Sequence, residues 1–138
     1  MQTLAQQHPE KIMTDIPKGN LTTRTLAMPA DSNPSGDIFG GWVLSQMDIA
    51  ASICAVERAR CRTVTAAIDS MSFIEPVEIG DVLCVYTELV GVGNTSLEIH
   101  VEAWTQRVRY GDEEKVTEAK FIFVALGEDG RPTPVPGK

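Results

Sequence analysis

Histidine and cysteine are scarce in this sequence. Its 138 residues include three cysteines, Cys54, Cys61 and Cys84, and two histidines, His8 and His100. The cysteine count is odd, no Cys-x-x-Cys pair occurs, and no zinc-ligand spacing can be assembled from these five residues. Reduced thiols in the core of a cytoplasmic protein are the simplest account. Basic residues are outnumbered, 12 Lys+Arg against 19 Asp+Glu, for a formal net charge of -7 and a pI near 4.7. That balance argues against a general nucleic-acid or membrane-surface binder, while leaving room for a local basic pocket. Long apolar runs are missing too: none approaches the roughly 20 residues that span a bilayer. The polar opening (Gln2, Gln6, Gln7, His8, Glu10, Lys11) lacks the apolar stretch of a signal peptide. The expectation is a cytoplasmic protein with neither nucleic acid nor membrane as partner, and with no metal or redox cofactor.

What is present suffices for one folded domain: 43% of the residues are hydrophobic. Residues 1–20 show no clean period and read as a flexible arm, or as an extension lying on a partner subunit. Leu21 to Met28, rich in Thr and apolar residues, is the candidate first strand, ended by Pro29. Ala30 to Asp37 is a turn-rich loop. From Phe39 to Arg58 the pattern is helical, with Val43, Met47, Ala50, Ala51 and Cys54 at three- and four-residue spacing. Leu44, Ile49, Ile53 and Val56 fill other faces, which predicts burial on most sides. Ala50, Ala51 and Ser52 would allow close packing.

Strands are expected at Thr63 to Phe73, Val82 to Val90, Leu97 to Trp104 and Val116 to Leu126. Gly91-Val-Gly93-Asn94 marks a hairpin, and Tyr110-Gly-Asp-Glu-Glu114 marks a turn. Leu97, Ile99, Val101 and Ala103 alternate with Glu98, His100, Glu102 and Trp104, as in a half-buried strand. Residues 128–138 form a Pro-rich extended tail, leaving 21–127 as the domain. Hairpins imply an antiparallel sheet of about five strands, and the single long helix is buried by wrapping that sheet around it, an α+β arrangement of the hotdog type. Its open edge invites pairing with a second subunit.

The run from Asn33 to Asp48 carries the chemistry. It passes from a polar loop through Gly40-Gly41 into an apolar helix bearing a lone carboxylate, Asp48. A glycine at a helix start offers backbone N–H groups and the positive end of the dipole to a developing oxyanion, with no side chain to block the carbonyl. Asp48 would act as general base towards water or as nucleophile through an anhydride. Asn33 would orient water or thioester. Eight residues of helix rise about 12 Å, too far for Gly40 and Asp48 of one chain to share a carbonyl, so the spacing calls for a site shared between subunits. Each residue has a plainer account: a loop-to-helix turn for Gly40-Gly41, an arginine partner (Arg24 or Arg58) for Asp48, a turn former for Asn33.

The segment Arg24-Thr-Leu-Ala-Met-Pro-Ala-Asp-Ser-Asn-Pro-Ser-Gly-Asp-Ile-Phe-Gly-Gly-Trp-Val-Leu-Ser-Gln-Met-Asp48 resembles the YciA-type acyl-CoA thioesterases of the hotdog superfamily. The likeness continues through Val64-Thr65, Ser70-Met-Ser-Phe-Ile-Glu-Pro-Val77, Gly80-Asp81, Thr95-Ser96, Val101-Glu-Ala-Trp104, Thr117-Glu-Ala119 and Phe123-Val-Ala125, and so covers roughly 22–134. The resemblance implies hydrolysis of acyl-CoA to free CoA and a carboxylic acid, in a trimer of hotdog dimers with sites at the dimer interfaces. CoA enters only as part of substrate and product. The resemblance makes Asp48 the catalytic carboxylate and Gly40, with Gly41 beside it, the oxyanion donor. Asn33 becomes an assisting polar residue and Asp37 a further candidate. Ser70, Met71 and Phe73, and the turn Asn94, Thr95 and Ser96, match segments near the CoA channel. The basic residue that relatives carry beside that hairpin is absent here. Arg62, Arg107 and Arg109 could supply charge or be merely solvated, and Trp42 and Trp104 could line an acyl pocket or fill the core.

A hydratase of the same superfamily would need a histidine near the helix, where none stands. An acyl-CoA-binding sensor would dispense with the helix acid, and Asp48 is present.

Overall fold

The computed structural model describes residues 16–107 and 111–137. Five strands and one long helix follow one another: β1 Asn20–Leu26, α1 Gly40–Ala59, β2 Arg62–Ile68, β3 Asp81–Val92, β4 Ser96–Arg107 and β5 Glu113–Leu126. A single 3-10 turn, Pro29–Asp31, separates β1 from α1. The strands form one antiparallel sheet in the order β1-β3-β4-β5-β2. β3–β4 and β4–β5 are successive neighbours, whereas β2 reaches the far edge by pairing with β5. β1 and β2 are therefore the two edges.

The period of two sets the inner face of the sheet. Leu83 and Val85, Leu97, Ile99 and Val101, and Phe121 and Phe123 are buried against α1. The two phenylalanine rings stack with centroids 6.4 Å apart. From the helix come Val43, Met47, Ala50, Ala51, Ala55 and Ala59. The four alanines are fully buried. A stripe this small lets the sheet lie close to the helix axis, so the sheet can curl around it.

The sequence expectation needs correction in four places. Helix α1 is not buried on most sides: Ile49, Ile53 and Val56 are 48, 40 and 46% exposed. They point away from the sheet, which has no second layer to cover them. The strand expected to reach Phe73 stops at Ile68, because Asp69 and Ser70 are poor strand formers. The chain keeps to β5 by separate bonds, Asp69 N–H to Lys120 O (3.0 Å) and Ile74 N–H to Val116 O (2.7 Å). β5 starts at Glu113, so Glu113 and Glu114 are strand rather than turn. β4 is buried on both faces from Val101 to Thr105 rather than on one.

Glu102 explains that last difference. Its side chain lies on the outer face of the sheet yet is only 2% exposed. Trp104 Nε1 donates to Oε1 (2.9 Å), His100 Nε2 lies 2.7 Å from Oε2, the Lys18 N–H approaches Oε1 (3.4 Å), and Lys115 Nζ is 3.8 Å from Oε2. Burial alone would push the Glu102 carboxyl up. The bonds from His100 and Trp104, with Lys115 and Lys18, outweigh it and hold the group below the ordinary value of 4.5. A depressed folded value contributes stability that is fully present above the unfolded value and is lost as pH falls through the folded one. Replacing Glu102 by Gln is therefore expected to lower stability at neutral pH by about 1–3 kcal/mol. Thermal melts from neutral pH to about pH 3 should show the gap from wild type narrowing as pH falls through the carboxyl range; a gap independent of pH would contradict this.

Candidate active site

The loop before α1 is built by Asn33. Its Oδ1 accepts the N–H groups of Ser35 (2.9 Å) and Asp37 (3.1 Å), and its own N–H donates to Asp37 O (2.7 Å). This Asx-type turn closes the loop at the Ser32–Ile38 bridge and directs Ile38 into the core. Asn33 thus shapes the entry to the helix. Asp37 is exposed and bridges backbone-to-backbone with Glu78.

The helix then starts without a side-chain cap, Phe39 being the N-cap residue. Trp42 and Val43 N–H groups bond back to Phe39 O, whereas those of Gly40 and Gly41 belong to the first turn, where a helix has no acceptors of its own. Both glycines are exposed. A Cβ on Gly40 would lie 3.3 Å from the Phe73 ring, whereas one on Gly41 would meet nothing within 4 Å. A side chain at Gly40 would press on the Phe73 ring. Beside it opens a groove of ≈ 330 Å³ lined by Ile38, Gly40, Val43, Phe73, Ile74, Glu75, Pro76 and Val77. It is an apolar slot with a helix N-terminus at its wall.

Asp48 is half-buried on the side of α1 facing β2. Thr65 Oγ1 donates to its Oδ1 at 2.6 Å. Neither arginine considered as a partner reaches it: Arg24 bonds Gln106 Oε1 and Arg58 bonds the Pro136 carbonyl. The bond fixes one carboxylate oxygen and leaves Oδ2 for another proton. Thr65 had no signal in the sequence beyond being one of several β-branched residues in a strand. Only the fold brings it under Asp48.

Three groups of expected site residues thus stand apart within one chain. Gly40, Gly41 and Phe73 share the groove. Ser70 is exposed nearby, and Met71 packs on the core. Asp48 stands about 12 Å along the helix from Gly40. Asn94, Thr95 and Ser96 form the tip of the β3–β4 hairpin, tied to the end of β5 and to the tail by Ala125 N–H to Thr95 O and Val135 N–H to Asn94 O. The tail itself folds back, burying Val135. Trp104 lies in the outer-face cluster, while Trp42 is half-buried against the core. Arg107 is engaged by Glu78, Asp81 and Glu114; Arg109 and His8 lie outside the described residues.

Other nucleophiles and ligands are poorly placed. Burial pushes the Cys54 and Cys84 thiols up, so both stay protonated at neutral pH. His100 is on the face of the sheet opposite α1. The donors of His100, Glu102 and Glu118 lie within 4.8 Å of one another, a grouping that sequence spacing did not suggest. Lys115 already binds both carboxylates and fills the cation position. No helix of the described residues is long and apolar enough to cross a membrane.

A family model described as the thioesterase superfamily matches residues 35–111. The chain is 50% identical over 127 residues to the acyl-CoA thioester hydrolase YciA of Salmonella typhimurium, covering 90% of this chain and 96% of that one. Its fold is similar to that of a hexameric thioesterase from Yersinia pestis, with a TM-score of 0.85 and 46% identity over 89% of this chain and 100% of that one. It is similar as well to a hexameric broad-specificity acyl-coenzyme A thioesterase solved as an aspartate-to-alanine mutant. There the TM-score is 0.84 with 47% identity, over 88% of this chain and 89% of the other.

Proposed function

The chain belongs to the thioesterase superfamily and has its hotdog fold, and we propose that it hydrolyses acyl-CoA thioesters to free CoA and a carboxylic acid. The observation that carries this is the uncapped glycine helix start opening into an apolar groove. Such a slot accepts an acyl chain while presenting N–H donors to its carbonyl oxygen. Asp48, held by Thr65, takes a proton from water as the water oxygen attacks the carbonyl carbon. The resulting oxyanion is stabilised by the Gly40 N–H and the helix dipole. Collapse breaks the C–S bond, and the proton passes from Asp48 to the departing thiolate. Attack by Asp48 itself, forming a mixed anhydride, is the other route. A single turnover in isotopically labelled water tests this: label found in Asp48 establishes the anhydride route with water attacking the aspartyl carbonyl, whereas the base route puts label in the product acid and none in Asp48.

The partners of one reaction come from two copies of the chain. The β2 edge is the natural seam. It bears Val64 and Ile68, 41 and 38% exposed, and it carries Thr65 beneath Asp48. Pairing two copies there sets Asp48 of one beside the second copy and its Gly40. A trimer of such dimers is the expected assembly, in line with the hexameric relatives. Thiol release from a panel of acyl-CoAs, short to long and aromatic, tests the activity. Steady release from at least one, lost with Asp48→Ala, is expected; no release from any would overturn the reading.

A further inference from the structure

The chain carries three arginines within five residues, Arg58, Arg60 and Arg62, at the turn from α1 to β2. We infer that Arg60 and Arg62, backed by Arg58, form the anion site that holds the phosphates of the CoA portion; this rests on the acyl-CoA reading above.

Four observations converge on this turn. None of the three guanidinium groups has a carboxylate partner among the described residues, whereas Arg107, Lys115 and Lys120 each sit on acids. Unpaired cations grouped together stand out in a protein of net charge -7. Secondly, Arg60 is the helix C-cap with φ 57°, the only non-glycine residue with positive φ among those described. Glycine or asparagine is the favoured choice in that conformation, and an arginine kept there points to a use for its charge. Thirdly, Arg58 donates to the Pro136 carbonyl at 2.7 Å. It thereby anchors the tail beside the hairpin, where Val135 N–H meets Asn94 O, and adds its charge to the same end of the fold.

The fourth is distance. Arg60 lies twelve residues beyond Asp48 on the helix, about 18 Å of rise. Arg62 lies three residues before Thr65 on β2, roughly 10 Å. An extended pantetheine arm spans a gap of that order between thioester sulfur and diphosphate. The helix C-terminus presents roughly half a negative charge to an anion there, and three full positive charges outweigh it. Arginine also suits phosphate by its paired, fixed N–H donors.

The test compares KM and kcat of wild type, Arg60→Asn, Arg62→Gln and the double variant on an acyl-CoA, the same acyl-dephospho-CoA and the same acyl-pantetheine. Asparagine tolerates the left-handed cap, so the charge is removed without losing the turn, and thermal melts check that each variant stays folded. The double variant is expected to raise KM for acyl-CoA about tenfold or more, with kcat retained and KM for acyl-pantetheine unmoved. An equal shift for all three substrates, or none, overturns the site. Should the wild type release no thiol at all, the hydrolase reading falls, and calorimetric titration with free CoA still decides this one. Affinity about tenfold weaker in the double variant upholds it, and equal affinity overturns it.

Discussion

Replacing Asp48 by asparagine is expected to lower kcat by about 10²–10⁴-fold, the range over which a positioned general base contributes. Asparagine keeps the shape of the side chain, and its amide oxygen can still accept from Thr65 Oγ1, so the fold and the groove beside Gly40 are undisturbed. What is lost is the second oxygen as a proton acceptor. KM should change little, because Asp48 acts on the water rather than on CoA. Thr65→Val gives the graded control. It removes the 2.6 Å bond that orients the carboxylate without removing the carboxylate, so kcat should fall by less, with the same pattern in KM. Steady-state thiol release with both variants checks the prediction. Asp48→Asn with wild-type kcat would remove the carboxylate from the mechanism.

The second large effect concerns the β2 edge. Val64→Asp combined with Ile68→Asp places two carboxylates on each copy of a strand that is exposed along nearly its whole length. Each large aliphatic side chain withdrawn from water at an interface contributes roughly 1.5–3 kcal/mol. The substitutions abolish that gain and bring like charges together across the seam. Val64 and Ile68 are surface residues of the single chain, so the subunit itself should survive. Size-exclusion chromatography with light scattering is expected to show dissociation to smaller species. Activity should disappear together with the assembly, because Gly40 and Asp48 of one chain stand too far apart to act alone. A folded monomer that still turns over acyl-CoA would show that one chain suffices.

Much of this was legible in the sequence, for reasons that can be traced. The helix was readable because Val43, Met47, Ala50 and Ala51 recur at helical spacing, and β4 because Leu97, Ile99, Val101 and Ala103 alternate. The hairpin before β4 announced itself by Gly93-Asn94. Periodicity, however, records only that a residue is apolar, not what covers it. Ile49, Ile53 and Val56 therefore read as core although the sheet leaves them open. The same limit hid Glu102, which a half-buried alternation assigns to solvent. Its burial depends on Trp104 lying across it and on Lys18 and Lys115 arriving from other parts of the chain. Within the site, the separation of Gly40 from Asp48 followed from helical rise alone. Thr65 under Asp48 and Phe73 against Gly40 did not, since both are tertiary contacts across turns whose length the sequence does not declare.

In the mechanism proposed above, the oxyanion donor and the carboxylate of one reaction belong to different copies of the chain. Subunit complementation distinguishes this from a site within one chain. Asp48→Ala and Gly40→Val chains are each expected to be inactive; the branched side chain at Gly40 meets the Phe73 ring and closes the groove. Co-folded as mixed oligomers, they should regain thiol release, because each mixed pair keeps one site with an intact Gly40 from one chain and an intact Asp48 from the other. A mixture that assembles but stays as inactive as its parents would contradict the shared site and place both groups in a single chain.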